Sequence, residues 1–166
     1  MTETEAYDPR DAVAVLQRHG VRFVVIGGVA ANLRGSPSIT ADLDICYARD
    51  GNNLSALAES LRELEATLRG APAGLPFQLD ADTLRNGDTF TFQTRAGSLD
   101  CLGTPRGTSG YEELAARATL MDVGAGSEVL VAALEDLISM KRAAGRLKDR
   151  VELEILHALR DELRSS

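Results

Sequence analysis

"GGVAANLRGSPSITADLDICYARD" spans residues 27–50. A glycine pair, Gly27-Gly28, opens a short Ala-rich segment, and Asp42 and Asp44 follow inside an apolar run. Two carboxylates where a buried strand should be need a reason. Side chains alternate across a strand, so Asp42 and Asp44 share a face and can reach one cation together. Side by side the two anions repel, and each loses hydration on burial. A cation at that face resolves both problems. Magnesium is the natural candidate, because it is hard, prefers oxygen, and is usually held by one or two carboxylates plus phosphates.

Residues 22–26 read as a β-branched strand, and residues 29–33 as a short helix after the glycine pair. Glycine tolerates positive φ and leaves backbone amides uncovered. A helix start just beyond it offers free N–H groups and the positive dipole end, which can cradle phosphate. Gly27-Gly28 belongs neither to a Walker A loop nor to a dinucleotide-binding glycine motif. Alone, the pair is a tight turn; followed by D-x-D on the next strand, residues 41–47, it is more specific. Leu99-Asp100-Cys101 repeats the pattern of an aspartate within an apolar strand. If the two strands are neighbours, Asp42, Asp44 and Asp100 converge. Such a trio suits two-metal phosphoryl or nucleotidyl transfer: one metal would hold the triphosphate and the other would help activate an attacking hydroxyl, with Asp100 close enough to act as base. Asp80 and Asp82 also form a D-x-D, but no glycine turn precedes them, and they read as solvated aspartates.

The order of glycine turn, short helix and D-x-D strand resembles the nucleotidyltransferase superfamily, the fold of DNA polymerase β. Ile39-Thr40 before Asp42 is similar to the T-x-D-x-D form of many bacterial members. An arginine often stands two residues before that threonine; here the position is Ser38, with Arg34 nearby. A second stretch, "LEDLISMKRAAGRLKDRVELEIL", resembles the tail of the AbiEii-like toxin group of nucleotidyltransferases. Asp136-Leu137-Ile138, Met140-Lys141 and Lys148-Asp149 carry that resemblance, although Leu147 stands where relatives often have proline. It implies that Gly27, Gly28, Lys141 and Lys148 hold a nucleoside triphosphate. Asp149 would orient a neighbouring base or lysine. It further implies Mg2+ on Asp42, Asp44 and Asp100, and transfer of a nucleoside monophosphate to an acceptor hydroxyl. In that group the acceptor is RNA, including the tRNA 3′ end, and a cognate antitoxin is a possible partner. Elsewhere in the superfamily the acceptor is a small hydroxylated molecule such as an antibiotic. A non-catalytic nucleotide- or partner-binding module is the remaining class.

Composition sets limits on these readings. The chain has 166 residues, enough for one compact domain with a small helical appendage. Hydrophobic residues make up 44% but aromatics only 4%, so aliphatic side chains must fill the core. The net charge of -7 excludes a protein that coats nucleic acid wholesale. Any RNA contact must use a local patch such as Lys141, Arg142, Arg146, Lys148 and Arg150. Cys46 and Cys101 form no metal-ligand pair and read as small buried hydrophobes. Thr2 to Arg10 is polar rather than a signal peptide, and no apolar run reaches membrane-spanning length. A cytoplasmic location with no membrane partner is the expectation.

The fold class expected is α/β (α+β): a mixed sheet flanked by helices, with a small C-terminal helical part. Residues 1–105 are expected to form the catalytic core and 106–166 a helical part packed on it. Residues 2–7 are an acidic lead-in expected to fray, and Asp8-Pro9 should cap a helix running to about His19. The pattern predicts a helix over 54–69, a breaker-rich loop over 70–76 and a short strand over 77–79. Asn86-Gly87 reads as a hairpin turn before strands 89–94 and 97–102. Beyond the loop 103–110, a helix is expected over 111–118. A hairpin should pair 120–123 with 128–131, and helices should cover 132–144 and 147–164, broken at Gly145.

Overall fold

The computed structural model describes residues 7–72 and 77–165, so the acidic lead-in before Tyr7 and most of the loop over 70–76 lie outside the described residues. Fourteen elements follow one another, beginning with α1 (Arg10–Arg18), β1 (Phe23–Ile26), α2 (Gly27–Leu33), β2 (Asp42–Tyr47) and α3 (Gly51–Glu63). Next come β3 (Thr67–Leu68), α4 (Ala81–Asn86), β4 (Thr89–Thr94) and β5 (Gly97–Leu102). The chain ends with α5 (Tyr111–Arg117), β6 (Thr119–Asp122), β7 (Glu128–Val131), α6 (Leu134–Ala144) and α7 (Leu147–Arg164).

The strands form one mixed sheet in the order β3-β4-β5-β2-β1-β7-β6. β1 and β7 run parallel, as do β2 and β5, while the remaining neighbours are antiparallel. β1 is central and all four of its residues are buried, which explains its unbroken Phe-Val-Val-Ile run. β2 keeps the two-residue alternation: Leu43 and Ile45 are fully buried, whereas Asp42 and Asp44 are only partly covered. One core joins Leu43, Ile45, Leu99 and Cys101 of the sheet to Val13 and Leu16 of α1 and to Leu54, Leu57 and Leu61 of α3. β6 and β7 extend that same sheet, so the segment beyond residue 105 supplies two strands as well as helices. Among the described residues, no helix is long and apolar enough to cross a membrane.

Several local expectations give way to tertiary pairing. The helix expected to reach Arg69 stops at Glu63, and Glu65 takes a left-handed φ of 54°. Thr67 and Leu68 then pair with Gln93 and Phe92 of β4. The helical pattern persists through this stretch, but β4 offers unpaired backbone groups, and satisfying them outweighs one more helical turn. Residues 77–79 form no strand; Asp80 instead accepts a hydrogen bond from the Thr83 backbone at 2.8 Å and caps α4. Asn86-Gly87 therefore closes a helix rather than a hairpin. The β4–β5 hairpin turns at Arg95-Ala96, where the Thr94 hydroxyl donates to the Gly97 carbonyl at 2.7 Å and accepts from the Ala96 N–H at 3.0 Å. α1 begins one residue later than expected, with Pro9 in the cap position and Asp8 accepting from the Arg10 backbone at 3.0 Å. α6 begins at Leu134, because the Ala132 N–H is drawn to the Val25 carbonyl at 3.0 Å.

Candidate active site

The register of β2 against β5 places Asp44 opposite Asp100 and Asp42 opposite Ser98. All three aspartates therefore emerge on one face of adjacent strands, away from the Leu43, Ile45, Leu99 and Cys101 side. Asp44 stands at the centre. Its Oδ1 is buried and has no hydrogen-bond partner. Burial, then the charge of Asp100 and a hydrogen bond with its carboxyl, then the charge of Asp42, push the Asp44 carboxyl up to about 7, while Lys141 pulls the other way. Asp100, whose carboxyl lies within hydrogen-bonding reach of Asp44, also meets a cation: the Arg69 guanidinium donates to its Oδ1 at 2.7 Å.

The glycine pair meets this face directly. Gly27 has φ +67°, and a Cβ there would stand 2.1 Å from Asp44 Oδ2. A Cβ on Gly28 would stand 2.6 Å from Thr40 Oγ1. Both glycines are required by close approach, Gly27 to an acidic side chain and Gly28 to the loop that leads into β2. They are also the first two residues of α2, so the helix starts two positions earlier than its sequence suggests.

Lys141, near the end of α6, reaches back to Asp149 in the first turn of α7, with Nζ 3.2 Å from Oδ1. Asp149 is only 3% exposed and also accepts from Arg146 Nε at 2.7 Å and from the Arg146 backbone N–H at 3.2 Å. Burial raises its pKa, but the hydrogen bonds from Arg146 and Lys141 outweigh that and leave it below the ordinary carboxylate range. Asp149 thus stays anionic and fixes two cations. Gly145, left-handed at φ 64°, makes the corner that brings α7 back under α6.

These groups line a polar cavity of about 520 Å³ that includes Asp42, Asp44, Asp100, Lys141, Lys148 and Asp149. An adjoining apolar compartment of about 360 Å³ has walls from Ile26, Ala31, Leu102, Leu137, Met140 and Leu156. Asp44, Lys141 and Arg146 border both spaces. Every site residue expected from sequence lines one or both, Gly27 on the apolar side and Gly28 on the polar side.

Three participants escaped the sequence reading. Arg69 had been placed at the end of a helix, and Arg146 was counted only within a basic cluster. Glu152 on α7 accepts from the Ser36 hydroxyl at 3.0 Å and from the Ser38 hydroxyl, tying the loop before β2 to the C-terminal helix. The serines had been expected to bond loop backbone; Ser36 Oγ does accept from the Ser38 N–H at 3.2 Å, but their main partner is Glu152. Arg34, next to the missing loop arginine, points elsewhere and donates to the carbonyls of Val131 and Ala132 at 3.0 and 3.2 Å. Arg117 is likewise structural, 2.6 Å from Asp136. Asp80 and Asp82 serve local roles, as a helix cap and as an i,i+3 partner of Arg85.

No protein-family profile matches this chain, and no curated protein does. Solved structures do match. TM1012 from Thermotoga maritima, a proposed nucleotidyltransferase, aligns with a TM-score of 0.51 at 15% identity, over 95% of this chain and 91% of that one. The antibiotic-resistance factor ANT(2'')-Ia aligns with a TM-score of 0.54 at 16% identity, over 94% and 89%. The fold is that of a nucleotidyltransferase. A likeness this distant reaches the fold and its nearly full-length coverage, and it does not extend to the AbiEii-like group.

The donor chemistry of the site fits a hard divalent cation. Asp44 offers a buried, unpartnered carboxylate oxygen, and Asp42 adds a second carboxylate on the same face. A bound cation would relieve the repulsion that raises Asp44. Among the described residues, however, no three His, Cys, Asp or Glu side chains are gathered tightly enough to hold a metal ion together. Asp100, expected as the third ligand, lines the same cavity and is also held by Arg69.

Proposed function

We propose that this protein transfers a nucleoside monophosphate from an NTP to an acceptor hydroxyl. The observation that carries the reading is the buried, unpartnered Oδ1 of Asp44, whose carboxylate stands beside Asp42 and Asp100 at the junction of a polar and an apolar compartment. Asp42 and Asp44 would hold Mg2+, which would neutralise charge on the triphosphate. Lys141, fixed by Asp149, and Lys148 stand where they can bind phosphate oxygens. The apolar compartment suits the nucleobase, and Gly27 and Gly28 keep the floor between the spaces free of side chains. The acceptor oxygen attacks the α-phosphorus, the bond to the β-phosphate bridging oxygen breaks, and pyrophosphate leaves. Asp100, held by Arg69 at Oδ1, takes the acceptor's proton. Alignment and charge neutralisation supply the rate.

For the acceptor, the tail resemblance favours RNA, including the tRNA 3′ end, in a toxin-like enzyme with a cognate antitoxin. The net charge of -7 and the fold likeness to an antibiotic-resistance factor favour a small hydroxylated molecule as the second reading. Salt separates them: RNA binding weakens steeply as salt rises, whereas binding of a neutral small acceptor barely changes.

The deciding experiment follows label from each α-labelled NTP, with Mg2+, into total RNA or into a panel of small hydroxylated molecules. Label on either acceptor that disappears with Asp42→Ala supports the reading and identifies the acceptor. Metal-dependent NTP binding without transfer to RNA, small molecule or the protein itself would leave a binding module instead. A second variant tests the phosphate contact. Lys141→Ala should raise the KM for NTP at least about tenfold, the loss expected for one hydrogen bond from a charged group. A KM unchanged in Lys141→Ala would remove that residue from the nucleotide site.

A further inference from the structure

Two cations flank the carboxylates. Lys141 acts from the C-terminal helices, and Arg69 from the β3 edge of the sheet. Arg69 is held at three points. Its backbone N–H bonds the Thr91 carbonyl at 2.9 Å, and its guanidinium donates to the Phe92 carbonyl at 2.9 Å and to Asp100 Oδ1 at 2.7 Å. Residues 67–69 follow the antiparallel register with β4, so the sheet itself aims this side chain at Asp100. Arg69 and Asp100 are 34% and 21% exposed, which makes the pair more sheltered than an ordinary surface ion pair.

A guanidinium stays charged throughout the usable pH range, and a charge-assisted bond of this length is a strong one. Arg69 offsets the charge of Asp100, which leaves Asp42 and Asp44 as the pair of carboxylates facing a divalent ion. A second divalent ion on Asp100 would have to displace Arg69 or sit against its charge.

We infer that Arg69 is a positioning residue that limits this site to one divalent cation, held by Asp42 and Asp44, and keeps Asp100 off the metal as the base. The base role rests on the nucleotidyl-transfer reading; the ion count does not. Arg69 does by charge what a second metal does in two-metal enzymes, and it holds the Asp100 carboxylate in place at the same time.

Mn2+ titrated into nucleotide-free protein, with free Mn2+ read by electron paramagnetic resonance, tests the ion count. Wild type is expected to bind one ion. Arg69→Gln should admit a second, and Arg69→Lys, which keeps the charge, should return the count to one. Asp100→Asn should keep one ion with affinity within threefold of wild type, and Asp44→Asn should bind at least tenfold more weakly. The Asp100→Asn arm stands even if Arg69→Gln does not fold. Two ions on wild type, one ion with unchanged affinity on folded Arg69→Gln, or a tenfold loss in Asp100→Asn would each overturn the inference. Single-ion behaviour without any label transfer would leave the inference standing and defeat the catalytic reading alone.

Discussion

Asp44→Asn is expected to stabilise the metal-free protein near pH 8 while it removes nucleotidyl transfer. The wild-type carboxyl has an ordinary value of 3.8 and is raised to about 7 in the fold, by burial first and by Asp100 and Asp42 next. A group whose folded pKa lies above its unfolded one contributes fully below the unfolded value and loses that contribution as pH rises through the folded one. The cost to wild type is therefore absent below about pH 4 and complete above about pH 7. Asparagine keeps the shape and carries no charge. In chelator, chemical denaturation should show the two proteins equal near pH 4 and Asp44→Asn ahead by on the order of 2 kcal/mol at pH 8. Transfer should fall at least roughly a thousand-fold, because the variant loses its central ligand and charge. At one fixed Mn2+ concentration, the midpoint of wild type should then rise further than that of Asp44→Asn. A variant less stable than wild type at pH 8 in chelator would show that Asp44 is supported by contacts rather than strained by its neighbours.

Gly27→Ala should damage stability and the carboxylate site together. Its φ of +67° costs an L-residue roughly 1–2 kcal/mol whatever the space around it. The added Cβ would also arrive 2.1 Å from Asp44 Oδ2, so the carboxylate must leave its place. Stability and metal binding should therefore fall together, with Mn2+ affinity down at least tenfold even at temperatures where the protein remains folded. Gly28→Ala is the matched control. Its Cβ would meet Thr40 Oγ1 at 2.6 Å, without the left-handed backbone, and Thr40 belongs to the loop before β2. The loss in Gly28→Ala should be smaller and should spare Mn2+ binding. Equal effects of the two substitutions would mean that α2 packing, rather than the approach to Asp44, dictates glycine.

The aspartates were legible because their signal is local and periodic. D-x-D within an apolar run puts two carboxylates on one strand face whatever the rest of the chain does. The meeting of Asp44 with Asp100 depended on β2 and β5 being neighbours, which the sequence suggested only through the repeated pattern around Asp100. The basic cluster in the tail was visible as composition, but its roles were not. Lys141 and Arg146 converge on Asp149 because Gly145 turns α7 back, and a corner angle is not written in a charge run. Arg69 was hidden altogether. Its segment carries a helical pattern, and only the unpaired edge of β4 converts that stretch into a strand.

The sequence by itself determined the alternation of strands and helices, the glycine–aspartate order and the face on which Asp42 and Asp44 lie. Each of these follows from a side-chain period or from the conformational freedom of glycine, which are properties of a few consecutive residues. Tertiary structure alone decided where α3 stops, where the β4–β5 hairpin turns, and that the chain beyond residue 105 donates β6 and β7 to the central sheet. It also decided the ionic partners: Arg69 on Asp100, Lys141 and Arg146 on Asp149, and Glu152 on the serine loop. Coulomb and hydrogen-bond energies depend on distances between residues far apart in the chain, and those distances exist only once the sheet has closed.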